Sequence, residues 1–133
     1  MKYWLVRSPY KTRKWEDVLM SSIFKLYGIR NYVARDNISK MSKGDCALWY
    51  SSSAGKKIFG TMKVEKTAYQ DNTSEGNWLS LDFVPISTFA NPITFQKVKE
   101  NQILSKSKII TQIRITVVEI TKEEYDEVLK AVS

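Results

Sequence analysis

Residues 57–67 set Ile58, Gly60, Met62 and Val64 in alternation with Phe59, Thr61, Lys63 and Glu65, a period of two that belongs to a pleated strand with one face turned inward. The same alternation returns in residues 78–85, with Leu79, Leu81 and Phe83 against Trp78, Ser80 and Asp82, and again in residues 113–118. A chain patterned in this way must build a sheet. Residues 3–6 add a short apolar strand, and Gly44-Asp45 turns the chain into another that runs through Tyr50. The small-residue loop 51–55 predicts that this strand pairs with 57–67 as a hairpin. Trp15, Val18, Leu19, Ile23 and Leu26 fall at helical spacing, which predicts a helix over 15–26 ended by Gly28. A short helix is expected over 94–103 after Pro92, and Thr121 with Glu124 forms a capping box opening a last helix through Val132. The expected class is α+β: a small twisted β-barrel of about five to six strands with surrounding helices.

With 133 residues, 43% of them hydrophobic, the chain suits one domain over 1–133 with one core. No apolar run approaches the ~20 residues of a membrane span, and the N-terminus lacks the layout of a signal peptide. A soluble, cytoplasmic protein without a membrane partner is expected. The single cysteine, Cys46, has no partner for an internal disulfide and lies in an apolar strand, where a structural role is expected. The chain has no histidine, which removes Ser-His and Cys-His nucleophile pairs and His-containing zinc sites. The acids show no paired spacing, and no glycine-rich phosphate loop is present. Neither a metal nor a cofactor is expected, and lysine or carboxylate chemistry is the remaining route to an enzyme.

Charge is distributed unevenly. Residues 1–118 hold 19 basic and 9 acidic residues, net +10, whereas the remainder is net −3. Residues 1–63 alone carry 13 basic and 4 acidic residues, net +9, with Lys11, Arg13, Lys14, Arg30, Arg35, Lys40, Lys43, Lys56 and Lys57 prominent. Such asymmetry favours a polyanionic partner, although a lysine-rich surface also serves solubility alone.

Five segments, in order along nearly the whole chain, resemble the EVE domain family of the PUA-like superfamily. The first is Gly28-Ile29-Arg30-Asn31-Tyr32-Val33-Ala34-Arg35-Asp36-Asn37; the second is Gly44-Asp45-Cys46-Ala47-Leu48-Trp49-Tyr50-Ser51-Ser52. The third joins Ile58-Phe59-Gly60 to Glu65-Lys66-Thr67-Ala68-Tyr69-Gln70-Asp71-Asn72-Thr73, and the fourth is residues 78–85. The fifth is Gln112-Ile113-Arg114-Ile115-Thr116-Val117, before Thr121-Lys122-Glu123-Glu124-Tyr125. Ser52 stands where the family commonly has histidine, Gln70 where it has proline, and Ile113 where it often has a polar residue. The resemblance implies a PUA-like twisted barrel and a pocket for a nucleobase, in a family regarded as reading modified DNA bases, modified cytosines in particular.

A base taken into a pocket needs flat walls for stacking and a few polar groups for its edge. Tyr32, Trp49, Tyr50 and Trp78 are candidate walls, with Trp49 preferred, because alternation sends Ala47, Trp49 and Ser51 to one side and Cys46, Leu48 and Tyr50 to the other. Ordinary core packing is the competing role for each. Asn31, Ser51 and Ser52 offer donors and acceptors to a base edge, or simply turn chemistry. Arg35 suits a phosphate or pocket contact, or a pair with Asp36 or Asp45. Arg114 is either a pocket residue or a charge at the barrel edge. Arg30, Lys56 and Lys57 are candidate phosphate contacts.

Three functions are consistent with these features: a reader of a modified base in DNA or RNA, a PUA-like module binding tRNA or rRNA, and an enzyme of nucleic-acid metabolism. The first accounts for most of them. If about four phosphates are neutralised by an oligonucleotide complex, log K should fall with log salt at a slope of about −3 to −4, while a free nucleoside shows almost none. Titrations at several salt concentrations measure this, and equal slopes for nucleoside and oligonucleotide would contradict a neutral pocket approached across a basic surface.

Overall fold

Strand β3 (Cys46–Ser51) organises the molecule because its two faces are both covered. In the computed structural model, which describes residues 1–8, 14–52, 55–73 and 75–132, it lies between β1 (Tyr3–Arg7), parallel to it, and β4 (Lys57–Gln70), antiparallel. Beyond β4 come β5 (Leu79–Thr94) and β2 (Phe24–Leu26), and beyond β1 comes β6 (Val117–Ile120), giving the order β2-β5-β4-β3-β1-β6. On one face Ala47 and Trp49 join Trp4, Val6, Trp15, Phe24 and Phe83 in a first core. On the other, Leu48 and Tyr50 join Leu5, Ile58, Val118, Tyr125 and Val128 in a second. Burial on both faces explains why this strand reads as a nearly continuous apolar run where 57–67 alternates.

Among the described residues five α-helices complete the α+β fold: α1 (Trp15–Met20), α2 (Tyr32–Ser39), α3 (Phe95–Glu100), α4 (Lys108–Thr111) and α5 (Lys122–Ala131). The hairpin of β3 and β4 forms as expected. So does the capping box, in which Thr121 Oγ1 accepts from the Glu124 N–H at 3.0 Å and Glu124 Oε1 accepts from the Thr121 N–H at 2.8 Å. Among the described residues no helix is long and apolar enough to cross a membrane.

Four expectations are corrected. The sheet does not close into a barrel: among the described residues β2 and β6 remain its edges. Helix α2 packs on both β5 and β6, burying Ala34 and Ile38 in the first core, and Asn37 Nδ2 donates to the Val117 carbonyl at 2.7 Å. A helix covering an edge does the work that closure would do. The helix expected over 15–26 stops at Met20, where the Ser21 N–H returns to the Val18 carbonyl and Ser21 Oγ to that of Asp17. Phe24 and Leu26 then alternate into the core as β2, opposite Phe83 and Leu81, while Leu19 and Ile23 are exposed. The strand expected over 113–118 begins only at Val117, so Arg114 sits in a turn. Finally, β5 runs on through Pro85 and Pro92 to Thr94, its pairing with β4 broken by register shifts that accommodate residues without a donor.

Gly60 shows how tightly the first core is built: a Cβ there would lie 2.3 Å from the Ser87 carbonyl and 2.4 Å from the Trp15 indole. That indole packs on Trp49 with ring centroids 5.5 Å apart. Because Trp49 is fully buried, Trp49→Ala should destabilise the protein by about 3–5 kcal/mol. Urea unfolding checks this, and a loss below about 1 kcal/mol would show that the site collapses around the missing ring.

Candidate nucleic-acid interface

The parallel pairing of β1 with β3 sets Arg7 directly opposite Tyr50, so both strands end at one place. Just past that line the chain continues as Ser8 and Ser52, and the Ser8 N–H donates to the Tyr50 carbonyl at 2.8 Å. A cavity of about 270 Å³ opens there, lined by Arg7, Ser8, Tyr50, Ser52, Lys56, Phe95 and Ile113. Carboxyl ends of strands are where open sheets place ligands, because the loops diverge there and leave a crevice.

Arg7 builds one side of this cavity. Its Nη1 donates to the carbonyls of Gln112 at 3.3 Å and Ile115 at 2.7 Å, and its Nη2 donates to that of Ile109. One guanidinium therefore holds the turn between α4 and β6, including Ile113, against the end of β1. Burial pulls the Arg7 pKa down to about 10, with the Tyr50 hydroxyl opposing that fall. Burial likewise raises the Tyr50 pKa, against the effect of Arg7, whose Cζ lies 5.7 Å from the Tyr50 ring centroid. At neutral pH the cavity thus holds a charged guanidinium and a neutral phenol.

The Phe95 ring meets that of Tyr50 edge-on, 6.3 Å apart at 68°. Lys56 adopts φ 56, a left-handed conformation that non-glycine residues rarely take, and its carbonyl accepts from the Phe95 N–H at 2.8 Å. Backbone held in this region commonly aims a side chain at a functional site. The cavity accordingly combines two aromatic rings, two serines and two cations.

Of the residues singled out in the sequence, Tyr50, Ser52 and Lys56 line this cavity. Ser51 is buried at the end of β3, and Lys57 pairs with it as β4 begins. Trp49, the preferred wall, faces the opposite core with none of its surface exposed, and its indole N–H has no hydrogen-bond partner among the described residues. Arg114 lies outside the cavity, next to its Ile113 wall. Sequence reasoning missed Arg7, Ser8, Phe95 and Ile113; the one local signal was a charged residue closing an otherwise apolar strand.

The other five gather elsewhere, around the start of α2. Tyr32 and Trp78 stack with centroids 5.1 Å apart at 28°. Arg35 Cζ lies 4.9 Å from the Tyr32 ring and Arg30 Cζ 5.4 Å from the Trp78 ring. Asn31 is the N-cap of α2, its Oδ1 accepting from the Ala34 N–H at 3.0 Å. Both arginines are paired, Arg30 with Asp71 at 3.1 Å and Arg35 with Asp36 at 3.2 Å. The Asp71 carboxylate is fully buried and accepts from the Gly28 N–H at 2.8 Å, the Thr73 N–H at 2.8 Å and the Thr73 hydroxyl at 2.6 Å. Burial alone would raise its pKa, but these donors together with Arg30 hold it well below the ordinary carboxylate range.

A depressed carboxylate pKa contributes stability that is present above the unfolded value, near pH 4, and lost as pH falls through the folded value. Asp71→Asn should therefore destabilise the protein at pH 7, by about 1–3 kcal/mol through its weakened acceptors. The gap between wild type and variant should narrow on acidification toward pH 2. Urea midpoints at the two pH values measure this, and a gap that is constant with pH would remove Asp71 from the acid response.

Comparison with known proteins matches this architecture throughout. A protein of Agrobacterium tumefaciens superposes with a TM-score of 0.93 at 29% identity, covering 100% of this chain and 94% of the other. Human THYN1 in complex with 5-methylcytosine-containing DNA superposes with a TM-score of 0.90 at 24% identity, covering 100% and 98%. Mouse thymocyte nuclear protein 1 is 26% identical in an alignment covering 96% of this chain and 72% of its own length. The family model for the EVE domain matches residues 2–131, so the sheet, the α2 segment and the strand-end cavity together are those of a chain that belongs to the EVE domain family.

Proposed function

We propose that the chain is a non-catalytic reader of a modified nucleobase, which it takes into the cavity at the carboxyl ends of β1 and β3. The observation that carries this reading is the pairing of aromatic surface with polar groups in a space suited to one small planar ligand: Tyr50 and Phe95 for the ring faces, Ser8 and Ser52 for its edge. Lys56, and Lys57 beside it, are cations suited to the phosphates flanking that base. The Arg7 guanidinium adds fixed positive charge behind the pocket, which favours ligands rich in acceptors such as a pyrimidine edge. The human relative with 5-methylcytosine DNA makes methylated cytosine the first ligand to try.

Extraction of the base from a duplex costs a few kcal/mol, so a single strand should bind more readily than a perfect duplex. The direct test is calorimetric titration with a panel of free nucleosides: 2′-deoxycytidine and its 5-methyl and 5-hydroxymethyl forms, adenosine and N6-methyladenosine. One modified nucleoside should bind more tightly than its unmodified parent. Tyr50→Ala should weaken that binding by about 1–3 kcal/mol, the worth of one stacking wall, in a variant whose circular dichroism shows it folded. Equal binding of modified and unmodified nucleosides, or none at all, would overturn the reading.

A further inference from the structure

A second cavity, of about 490 Å³, lies on the other side of Ile113 and is lined by Val33, Thr111, Gln112, Ile113, Arg114 and Ile115. Ile113 thus belongs to the walls of both cavities. It is 46% exposed, and Val33 across from it is 50% exposed, so apolar surface that a core would normally absorb stands in solvent at this junction. The turn that carries Ile113 is not free to fold inward, because Arg7 holds the carbonyls of Gln112 and Ile115 and the Ile115 N–H returns to Gln112 at 3.0 Å. An exposed aliphatic side chain on a rigid turn between two cavities has the form of the wedges with which proteins part neighbouring bases.

Charge at this place differs from that around α2. Arg30 and Arg35 are each paired with a carboxylate, whereas Arg114 is exposed and makes no ion pair among the described residues. An arginine with no ion pair among the described residues, beside apolar surface that adjoins a base pocket, matches the chemistry of one nucleotide: a flat face and a phosphate. We infer that the second cavity takes the nucleotide adjoining the read base in the same strand, with Ile113 between the two bases and Arg114 on the connecting phosphate. The inference rests on the base-pocket reading and extends it from one nucleotide to two, which makes a single strand or a locally opened duplex the preferred form of the partner.

The test uses the nucleoside bound most tightly in the panel above and two dinucleotides made from it, one extended by thymidine on the 5′ side and one on the 3′ side. Wild type, Arg114→Gln and Val33→Asp are titrated with all three; both substitutions are at exposed positions outside the first cavity. One dinucleotide should bind about tenfold more tightly than the nucleoside, the scale of a single stacked base. Arg114→Gln and Val33→Asp should each remove most of that gain, leaving the nucleoside affinity unchanged. Arg114→Gln should also weaken the salt dependence of dinucleotide binding, because the single connecting phosphate loses its cationic partner to screen. Nucleoside and dinucleotide binding equally, or a gain indifferent to both substitutions, would overturn the second site while leaving the first intact. Failure of every nucleoside to bind would overturn the pocket reading and this inference with it.

Discussion

The burial of β3 on both faces is the constraint on which the rest of the molecule depends. A strand with Ala47 and Trp49 in one core and Leu48 and Tyr50 in the other can present chemistry to solvent only at its ends. Because β1 runs parallel to it and in register, with Arg7 opposite Tyr50, the carboxyl ends of both strands meet at one spot. The cavity is therefore a consequence of the sheet order rather than a feature added to it. The hairpin turn that delivers Lys56 and the start of α3 that delivers Phe95 are joined by the backbone hydrogen bond between those residues. Covering both faces also accounts for a core built in two layers from a chain of modest length.

Two buried carboxylates and the half-buried Arg7 do the positioning, and between them they spend most of their hydrogen bonds on backbone. Asp45 accepts from the Lys2 and Ser42 amides and from the Trp4 indole, which joins the start of β1 to the turn before β3. Asp71 gathers Gly28, Thr73 and Arg30, so that the approach to α2 and the loop before β5 are held together. Arg7 gathers three carbonyls of the segment before β6. A buried charge with this many partners offsets its desolvation by ordering loops that have little apolar surface of their own. As a result the formal positive charge overstates what a polyanion can meet. Arg7, Arg30 and Arg35 are already engaged, whereas Lys56, Lys57 and Arg114 form no ion pair among the described residues.

In the cluster of Arg30, Tyr32, Arg35 and Trp78 the aromatic and basic residues of two motifs engage one another. Tyr32 and Trp78 stack on each other, and the two arginines lie over their rings and pair with acids of the same neighbourhood. These contacts clamp the first turn of α2 to the residue just before β5. Helix α2 in turn spans between β5 and β6, so the clamp fixes the element that covers the open side of the sheet. Family resemblance marks these residues as a unit, and their mutual contacts explain that unity structurally.

What the sequence determined by itself is whatever depends on neighbours along the chain. The alternation of 57–67, the hairpin with β3, the capping box of Thr121 and Glu124, and the opposite facing of Trp49 and Tyr50 all follow from local periodicity and short-range hydrogen bonding. The family resemblance rests on order and spacing and was equally legible. Tertiary structure alone decided where local signals were equivocal or where partners came from afar. Leu26 satisfies helical spacing with Ile23 and strand spacing with Phe24 equally, until Phe83 and Leu81 supply an edge to pair with. By its local pattern Trp49 serves equally as pocket wall or core residue, until Trp15 and Phe59 cover it. Arg7 gains its role from carbonyls 102 to 108 residues away, and Ile113 from the cavities on its two sides. Periodicity reports which side of an element is apolar, but which element covers that side, and which group is left open to a ligand, is set only when distant segments pack.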